Sequence, residues 1–260
     1  MRVHRCLGIV AACEPEATLV RRQLQVHDKK VSAAGTLWRG RLLDQEVALL
    51  RCGMGARRAT SAVTWLTQHC CLWGVMSLGF AGGLQRHVAT GDAVLAARVG
   101  SVSTDHMTSQ NTEVIEPDRT LARLAAAAAA QAALVGHRGM LLSAIALVPR
   151  AVDKQWLGQQ SGALAVDMES YSIGRVAAVQ RLPFVVLRTI FDTIAEDLLV
   201  PADACITPDG LLQPGRLTGY LARHPRLFLQ VPRLWSQFRR AGKHLEVWLH
   251  HFLTMLSQQS

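Results

Sequence analysis

Short apolar segments recur along this chain, and most of them end at a glycine or an acidic residue. "CLGIVAAC" ends at Glu14, "VALLRC" ends at Gly53, and "LWGVMSLGF" runs into the glycines of "AGGL". Segments with helical spacing lie between them, including the alanine-rich stretch "LARLAAAAAAQAALV". Buried strands that alternate with helices are typical of an α/β domain with a largely parallel sheet. Such sheets bind ligands at the carboxyl ends of their strands, where these glycines and acids are expected to lie.

The stretch "GALAVDMES" places two carboxylates, Asp167 and Glu169, where an apolar run meets a helical pattern. Burying an isolated carboxylate is costly unless a partner compensates it. These acids therefore either cap the helix or hold a ligand. If the strand continues through them, Asp167 points away from Glu169 and serves as a structural partner.

Charge and cysteine content narrow the class of protein. The formal charge of +9 allows nucleic acid, an anionic membrane or phosphorylated substrates as partners, but residues 216–243 alone carry seven cations and no acid. The six cysteines lack zinc-ligand spacing, so we expect free thiols, mostly in the core, in a reducing cytoplasm. No apolar run reaches transmembrane length, which predicts a cytoplasmic protein, with peripheral contact at the inner membrane as an option.

The glycine loop "GMGARR" does not support a dinucleotide site, because Arg58 stands where the third glycine of that fingerprint belongs. Taken together, however, the motifs occur in the order that is found in one superfamily. "CEPEA", "GMG", "AGGL" followed by Gly91–Asp92, "VDMES" and "LRTIFD" resemble the motifs of nucleoside phosphorylases and nucleosidases. The resemblance runs from about Gly8 to Asp197 and is strong for the methylthioadenosine/adenosylhomocysteine nucleosidases.

This resemblance implies a three-layer αβα sandwich around a mixed, largely parallel sheet, with an added C-terminal helical segment. Residues 1–200 would form the catalytic domain, and residues 201–260 a basic amphipathic helical extension packed on it. It implies no metal and no cofactor, although phosphate is possible as a co-substrate. We also expect a homo-oligomer that binds no specific nucleic acid.

The resemblance also implies catalytic roles. Asp192 matches the acid that protonates or hydrogen-bonds N7 of the purine, a role that requires a raised pKa, although Asp192 taken alone is better interpreted as a helix cap. Glu16 matches the residue that positions the attacking water, whereas Glu14 is interpreted as a solvated first-turn acid. Glu169 matches the acid that grips the ribose hydroxyls. A buried ion pair is the favoured role for Arg188.

Further residues are implied to contact substrate. Met168 would pack on the sugar, and backbone groups of Val148 would bind the adenine edge. His106 lies where family members contact the ribose or the 5′ group. The predicted substrate-binding set is Glu169, Met168, Val148, Leu147, Phe80, Ala81, Gly82 and Gly55.

Two departures bear on the reaction. Hexameric phosphorylases of bacteria hold phosphate with an arginine and a serine, and the matching positions here are Phe80 and Ser77. Loss of that arginine favours water as the nucleophile. Arg57 and Arg58 could replace the charge of that missing arginine, so phosphorolysis stays open. The default interpretation of these two arginines is that they lie on a solvated helix face.

The second departure is the C-terminal segment, whose Pro-Asp-Gly turn, Arg-His-Pro sequence and final basic helix resemble the hopanoid-associated phosphorylases. This implies release of adenine from adenosylhopane, a lipid-linked purine nucleoside. One alternative keeps the chemistry but takes methylthioadenosine or adenosylhomocysteine. An alternative of another class is a non-catalytic nucleoside- or nucleic-acid-binding basic protein, against which acids at three separate strand ends argue.

The last helix interleaves cations with Trp, Phe and Leu residues. This pattern is typical of a helix that lies in an anionic membrane interface. It equally fits a helix that packs on its own domain or on a second subunit. The apolar residues concerned are Leu227, Phe228, Leu234, Trp235, Phe238, Leu245, Trp248, Leu249 and Phe252.

Overall fold

The computed structural model describes residues 5–102, 113–198 and 231–258, with isolated positions 215, 219 and 223. Strands and helices alternate through most of this part of the chain. The elements are β1 (Cys6–Ala11), α1 (Glu14–Arg21), β2 (Gln25–Ser32), β3 (Gly35–Leu42), β4 (Gln45–Arg51), α2 (Ala56–His69), β5 (Leu72–Gly83), β6 (Ala93–Val102), α3 (Arg119–Gln131), β7 (Gly136–Ala144), α4 (Ala151–Ser161), β8 (Ala165–Asp167), α5 (Ser170–Val179), β9 (Phe184–Asp192) and α6 (Val231–Ser257).

All nine described strands belong to one mixed sheet in the order β2-β3-β4-β1-β5-β8-β7-β6-β9. Parallel pairing joins β4, β1, β5 and β9, whereas β2, β3 and β4 form antiparallel hairpins. A further pairing of β5 with β9 closes the second half of the sheet into a ring. The carboxyl ends of β1, β5 and β9 therefore lie side by side, which is the edge that the sequence predicted for the site.

Helices cover both faces of the sheet. On one face, α1, α3 and α6 pack on apolar side chains such as Leu7 and Ile9. On the other face, α2 and α5 pack on side chains such as Val10 and Leu50. These two cores confirm the predicted three-layer arrangement, and α4 covers a smaller apolar cluster beside β7 and β8.

The sequence did not predict two of the elements, β2 and α4. β2 ("QVHDKKVS") is an exposed edge strand without an alternating apolar face, so periodicity gives no signal for it. α4 ("AVDKQWLGQQS") has a weak apolar stripe, because its inward face carries Lys154 and Gly158 beside Leu157. Gly158 is needed there, since a β-carbon would lie 2.1 Å from the carbonyl oxygen of Leu84.

The second half of α6 packs on the catalytic domain. Leu245, Trp248, Leu249 and Phe252 are all buried, and the Trp248 indole donates to the carbonyl of Ala125 at 2.8 Å. These side chains are not available to a bilayer, so the interpretation of the whole helix as a membrane-interface element is wrong for its second half. Within the described ranges, no helix is both long and apolar enough to cross a membrane.

The first half of α6 differs, because Leu234 and Phe238 are half-buried and Trp235 is 60% exposed. Leu227 and Phe228 lie outside the described residues. The prediction of core cysteines is only partly right: Cys52 is buried, but Cys71 is exposed.

Candidate active site

A cavity of about 340 Å³ opens at the carboxyl ends of β1, β5 and β9. This volume falls within the range of about 300–1,000 Å³ that is usual for small-molecule sites. Most of the predicted site residues line it. They are Glu16, Phe80, Ala81, Gly82, Leu147, Met168, Glu169 and Asp192.

The two other predicted residues lie next to this cavity. Val148 lines a small adjoining recess together with Leu147, Met168 and Asp192. Gly55 lines a neighbouring cavity on the α2 side, and its backbone N–H donates to Glu169 Oε1 at 2.8 Å. Gly55 therefore contacts a site acid directly.

Glu16 is held by backbone amides. Its Oε2 accepts from the N–H groups of Ala12 at 2.9 Å and Cys13 at 3.0 Å, and its Oε1 accepts from Phe80 at 2.9 Å. A carboxylate has about four acceptor positions. Three of them are taken by these amides, and the remaining one is on Oε1, which lies 3.6 Å from Arg188 Nη1. Glu14, by contrast, is exposed and pairs with Arg21 and Arg51, as expected for a solvated acid.

Arg188 lies at the centre of the acid cluster and is 1% exposed. It forms ion pairs with Asp167 at 3.0 Å, Glu169 at 3.5 Å and Glu16 at 3.6 Å. This arrangement confirms the predicted buried ion pair. Gly79 makes room for it, because a β-carbon there would lie 2.1 Å from Glu16 Oε1 and 2.3 Å from Arg188 Nη1.

Asp167 and Glu169 both face Arg188, which corrects the expectation that they point in opposite directions. β8 ends at Asp167, and Glu169 precedes the first turn of α5 with a non-extended backbone (φ −129°, ψ −35°). The alternation of a strand therefore does not apply. Asp167 also accepts from the backbone N–H of Ser170 at 3.3 Å, so its structural role is as predicted.

The environment of Glu169 raises its pKa from 4.5 to about 7. Burial is the main cause, and the neighbouring carboxylates of Asp167 and Glu16 add to it. Arg188 and the Gly55 amide oppose the shift. Glu169 therefore changes charge near neutral pH.

Asp192, at the end of β9, is 4% exposed, and burial raises its pKa, as the proposed acid requires. The ammonium group of Lys154 opposes this shift, because it forms an ion pair with Asp192 Oδ2. Lys154 is fully buried and was missed from the sequence. Lys154 lies in the stretch "AVDKQWL" of α4, and the weak amphipathic pattern of this helix gave no sign that the lysine is buried.

The two positions compared above with phosphate ligands are Ser77 and Phe80. Ser77 is fully buried, and its hydroxyl contacts Ser170 Oγ at 2.8 Å and Arg188 Nη2 at 3.0 Å. Arg57 and Arg58 line the neighbouring cavity rather than the one that contains the acids. Of the described residues that line the acid-containing cavity, Arg188 is the one cation.

The remaining wall of the cavity is apolar. The Phe80 ring lies 6.0 Å from that of Phe191 and 5.7 Å from that of Phe238, and α6 also contributes Leu234. His106 lies outside the described residues. Among the described residues, no group of three or more His, Cys, Asp and Glu side chains is arranged to hold a metal ion.

Comparison with solved structures identifies the same fold in nucleosidases. The 5′-methylthioadenosine/S-adenosylhomocysteine nucleosidase of Neisseria meningitidis, in complex with methylthio-immucillin-A, matches with a TM-score of 0.74 and 17% identity, over 96% of this chain and 98% of that one. The futalosine hydrolase of Helicobacter pylori matches with a TM-score of 0.71 and 19% identity, over 96% and 99%. At such identities the likeness concerns the fold.

The S-adenosylhomocysteine nucleosidase of Streptococcus pyogenes, in complex with 5-methylthiotubericidin, matches with a TM-score of 0.71 and 20% identity, over 95% of this chain and 97% of that one. The sequence model of the phosphorylase superfamily matches residues 7–205. This match spans the strands and loops that build the acid-lined cavity. The chain therefore belongs to the phosphorylase superfamily.

Proposed function

We propose that this protein cleaves the N-glycosidic bond of a purine nucleoside. The observation that carries the proposal is the convergence of Glu16, Glu169 and Asp192, from three separate strand ends, on one cavity with apolar walls. Cleavage builds positive charge on the ribose and negative charge on the departing purine. Carboxylates suit the first change, and a protonated carboxyl suits the second.

Each acid has a distinct role in this proposal. As the C1′–N9 bond breaks, its electron pair passes to the purine and Asp192 gives its proton to N7. Glu169, once ionised, accepts hydrogen bonds from the ribose hydroxyls, which strengthen as the ribose becomes positive. Glu16 orients a water molecule that attacks C1′ and takes up the proton that this water loses as the new C1′–O bond forms, so that one proton leaves Asp192 and one arrives at Glu16.

We propose water, rather than phosphate, as the nucleophile. Arg188 faces three carboxylates, so this part of the cavity carries excess negative charge when they are ionised. A phosphate dianion would be repelled there. The three amides around Glu16, which would otherwise suit an anion, are already occupied by its carboxylate.

We further propose adenosylhopane as the substrate, on the basis of the C-terminal segment and the apolar wall. Leu234 and Phe238 extend the cavity lining towards Trp235, which is 60% exposed and stacks on Phe238 at 5.9 Å. A pentacyclic lipid on the 5′ carbon needs an apolar path of this kind. The exposed Trp235, with the exposed cations Arg239 and Arg240, is the part of α6 that we propose for contact with an anionic membrane surface.

The alternative substrates are methylthioadenosine and adenosylhomocysteine, which the fold relatives named above favour. Adenine release from purified protein, with each nucleoside in turn, separates the two proposals. Rapid cleavage of methylthioadenosine with no cleavage of adenosylhopane would overturn the lipid substrate. Identification of the sugar product by mass spectrometry, with and without phosphate, decides between hydrolysis and phosphorolysis.

Failure to cleave any of these nucleosides, together with salt-dependent binding to random DNA, would overturn the enzymatic proposal in favour of a basic binding protein. Membrane contact is tested separately with anionic liposomes. Trp235→Ala and Arg239→Gln are expected to reduce sedimentation with them. Equal sedimentation of the variants and the wild type would remove this half of α6 from any membrane contact.

A further inference from the structure

Lys154 is a buried cation next to the proposed catalytic acid. The chain has four lysines, and Lys29, Lys30 and Lys243 are exposed, whereas Lys154 is fully buried on α4. Burial of a lysine is unfavourable unless its ammonium group is paired and hydrogen-bonded. The position of Lys154 therefore calls for a physical account.

All three donors of the Lys154 ammonium group are occupied. They bind Asp192 Oδ2, the carbonyl of Thr193 at 2.9 Å and the carbonyl of Glu196 at 2.5 Å. The amine is thus fixed by one carboxylate and by the backbone that follows it. It has no donor left for the substrate.

The elements around this pair hold it in place. The first backbone N–H of α4, from Ala151, donates to Asp197 Oδ1 at 2.6 Å, and the Glu196 side chain binds Gln237 and Arg233 of α6. The Glu196 carboxylate also acts on Asp192 and raises its pKa, whereas Asp153 and Arg150 of α4 pair with each other at 3.7 Å.

We propose that Lys154 is a positioning residue that fixes the orientation of Asp192 and stabilises its carboxylate once the proton has passed to the purine. This inference rests on the proposed function. In the step concerned, the Asp192 O–H bond breaks and the purine N7–H bond forms. Lys154 remains an ammonium ion throughout and neutralises the carboxylate that is left. Its interaction is therefore stronger after proton transfer than before it.

Two opposing effects meet at Asp192. Burial raises the pKa of its carboxyl, and the ammonium group lowers it. Without Lys154 the carboxyl would hold its proton to higher pH, yet would release it to the purine less readily. Loss of Lys154 should therefore raise the pH at which Asp192 titrates and lower kcat. A purely structural role for Lys154 would not produce this combination.

The decisive variant is Lys154→Met, compared with Lys154→Arg, which keeps the charge. Titration of Asp192 is followed by NMR of protein labelled with ¹³C at the aspartate carboxyl carbon, and the signal is assigned by its loss in Asp192→Asn. We expect the midpoint to move to higher pH in Lys154→Met and to stay near the wild-type value in Lys154→Arg. Lys29→Met, at an exposed lysine, is the matched control and should leave it unchanged.

Activity gives the second readout. We expect Lys154→Met to lower kcat for adenine release by about 10- to 100-fold with little change in KM, as for loss of a hydrogen bond to a charged group. If the wild type cleaves no nucleoside, the proposed function fails while the titration still tests the ion pair. An Asp192 midpoint that is the same in Lys154→Met and wild type would overturn the inference.

If Lys154→Met does not fold, the double variant Lys154→Met/Asp192→Asn removes both charges. We expect it to fold, because a buried pair that is deleted as a whole leaves no unpaired charge. Failure of the double variant to fold as well would show that the loss in Lys154→Met does not come from an unpaired Asp192 carboxylate and would also overturn the inference.

Discussion

Two buried cations stabilise the acids of this cavity, but they differ in the number of carboxylates with which each one pairs. Arg188 faces Glu16, Asp167 and Glu169, whereas Lys154 faces one carboxylate, that of Asp192. A guanidinium group keeps its proton in proteins and offers five donors in a fixed plane. It therefore suits a permanent framework for several acids. A single ammonium group suits a carboxyl that has to gain and lose a proton.

The largest effect is expected where the Arg188 cluster is broken. Arg188→Met leaves three buried carboxylates without their common partner, and removal of one member of a buried pair typically costs about 3–5 kcal/mol. Chemical denaturation measures the loss. Arg188→Lys should recover only part of it, because one ammonium group cannot replace the planar set of donors. A free energy of unfolding within about 1 kcal/mol of the wild type would contradict the framework role.

The next largest effect is expected at Asp192, the carboxylate that pairs with Lys154. Asp192→Asn should lower kcat for adenine release by about 10²- to 10⁴-fold, because an amide cannot deliver a proton. The loss of stability should be smaller than in Arg188→Met, because the side-chain amide of the new asparagine can still accept a hydrogen bond from Lys154. Steady-state kinetics and thermal unfolding of the same samples test both statements. A rate close to that of the wild type would exclude Asp192 as the acid.

A third prediction uses the pH dependence of Glu169, whose pKa is raised from 4.5 to about 7. Because the ionised form is needed to accept the ribose hydroxyls, kcat/KM should rise with pH through about 7 in the wild type. Glu169→Gln should remove this rise and lower kcat more than it changes KM. A variant that changes KM alone would count against the ribose role.

Stability should show the reverse pH dependence at the same residue. The folded state holds the proton of Glu169 more tightly than the unfolded state. Its contribution to stability is therefore complete below about pH 4.5 and is lost as the pH rises through about 7. Urea denaturation of wild type and Glu169→Gln between these pH values measures the difference. A difference that does not depend on pH would contradict the shifted pKa.

The smallest effect is expected away from both cations, on α6. Phe238→Ala should lower kcat/KM for adenosylhopane more than for methylthioadenosine, by about 10-fold, because it shortens the apolar wall. Phe252→Ala on the same helix is the matched control. Phe252 is fully buried in the core, so that variant should lose about 3–5 kcal/mol of stability without a change in the substrate ratio. An equal change of the ratio in both variants would remove Phe238 from substrate selection.

The sequence predicted the strands that matter most for the site, because each is a buried apolar run that ends in glycine or an acid. The carboxyl ends of β1, β5 and β9 lie at one edge as predicted, and Glu16, Gly82 and Asp192 lie in or just after these strand ends. β2 and α4 were missed, because an exposed edge strand and a helix with a polar inward face lack the periodicity on which prediction depends. The roles of the site residues remain predictions until they are tested.

By itself, the sequence determined the fold class and the family, because the order of short motifs and the spacing of apolar residues are local properties of the chain. Only the tertiary structure decided how the acids are partnered. The pairing of Asp192 with Lys154 joins residues 38 positions apart, and that of Glu16 with the Phe80 amide joins residues 64 positions apart. Contacts at such separations depend on the closure of β5 against β9 and on the packing of α4. The burial that raises the pKa of Glu169 and that of Asp192 exists only once those elements have met.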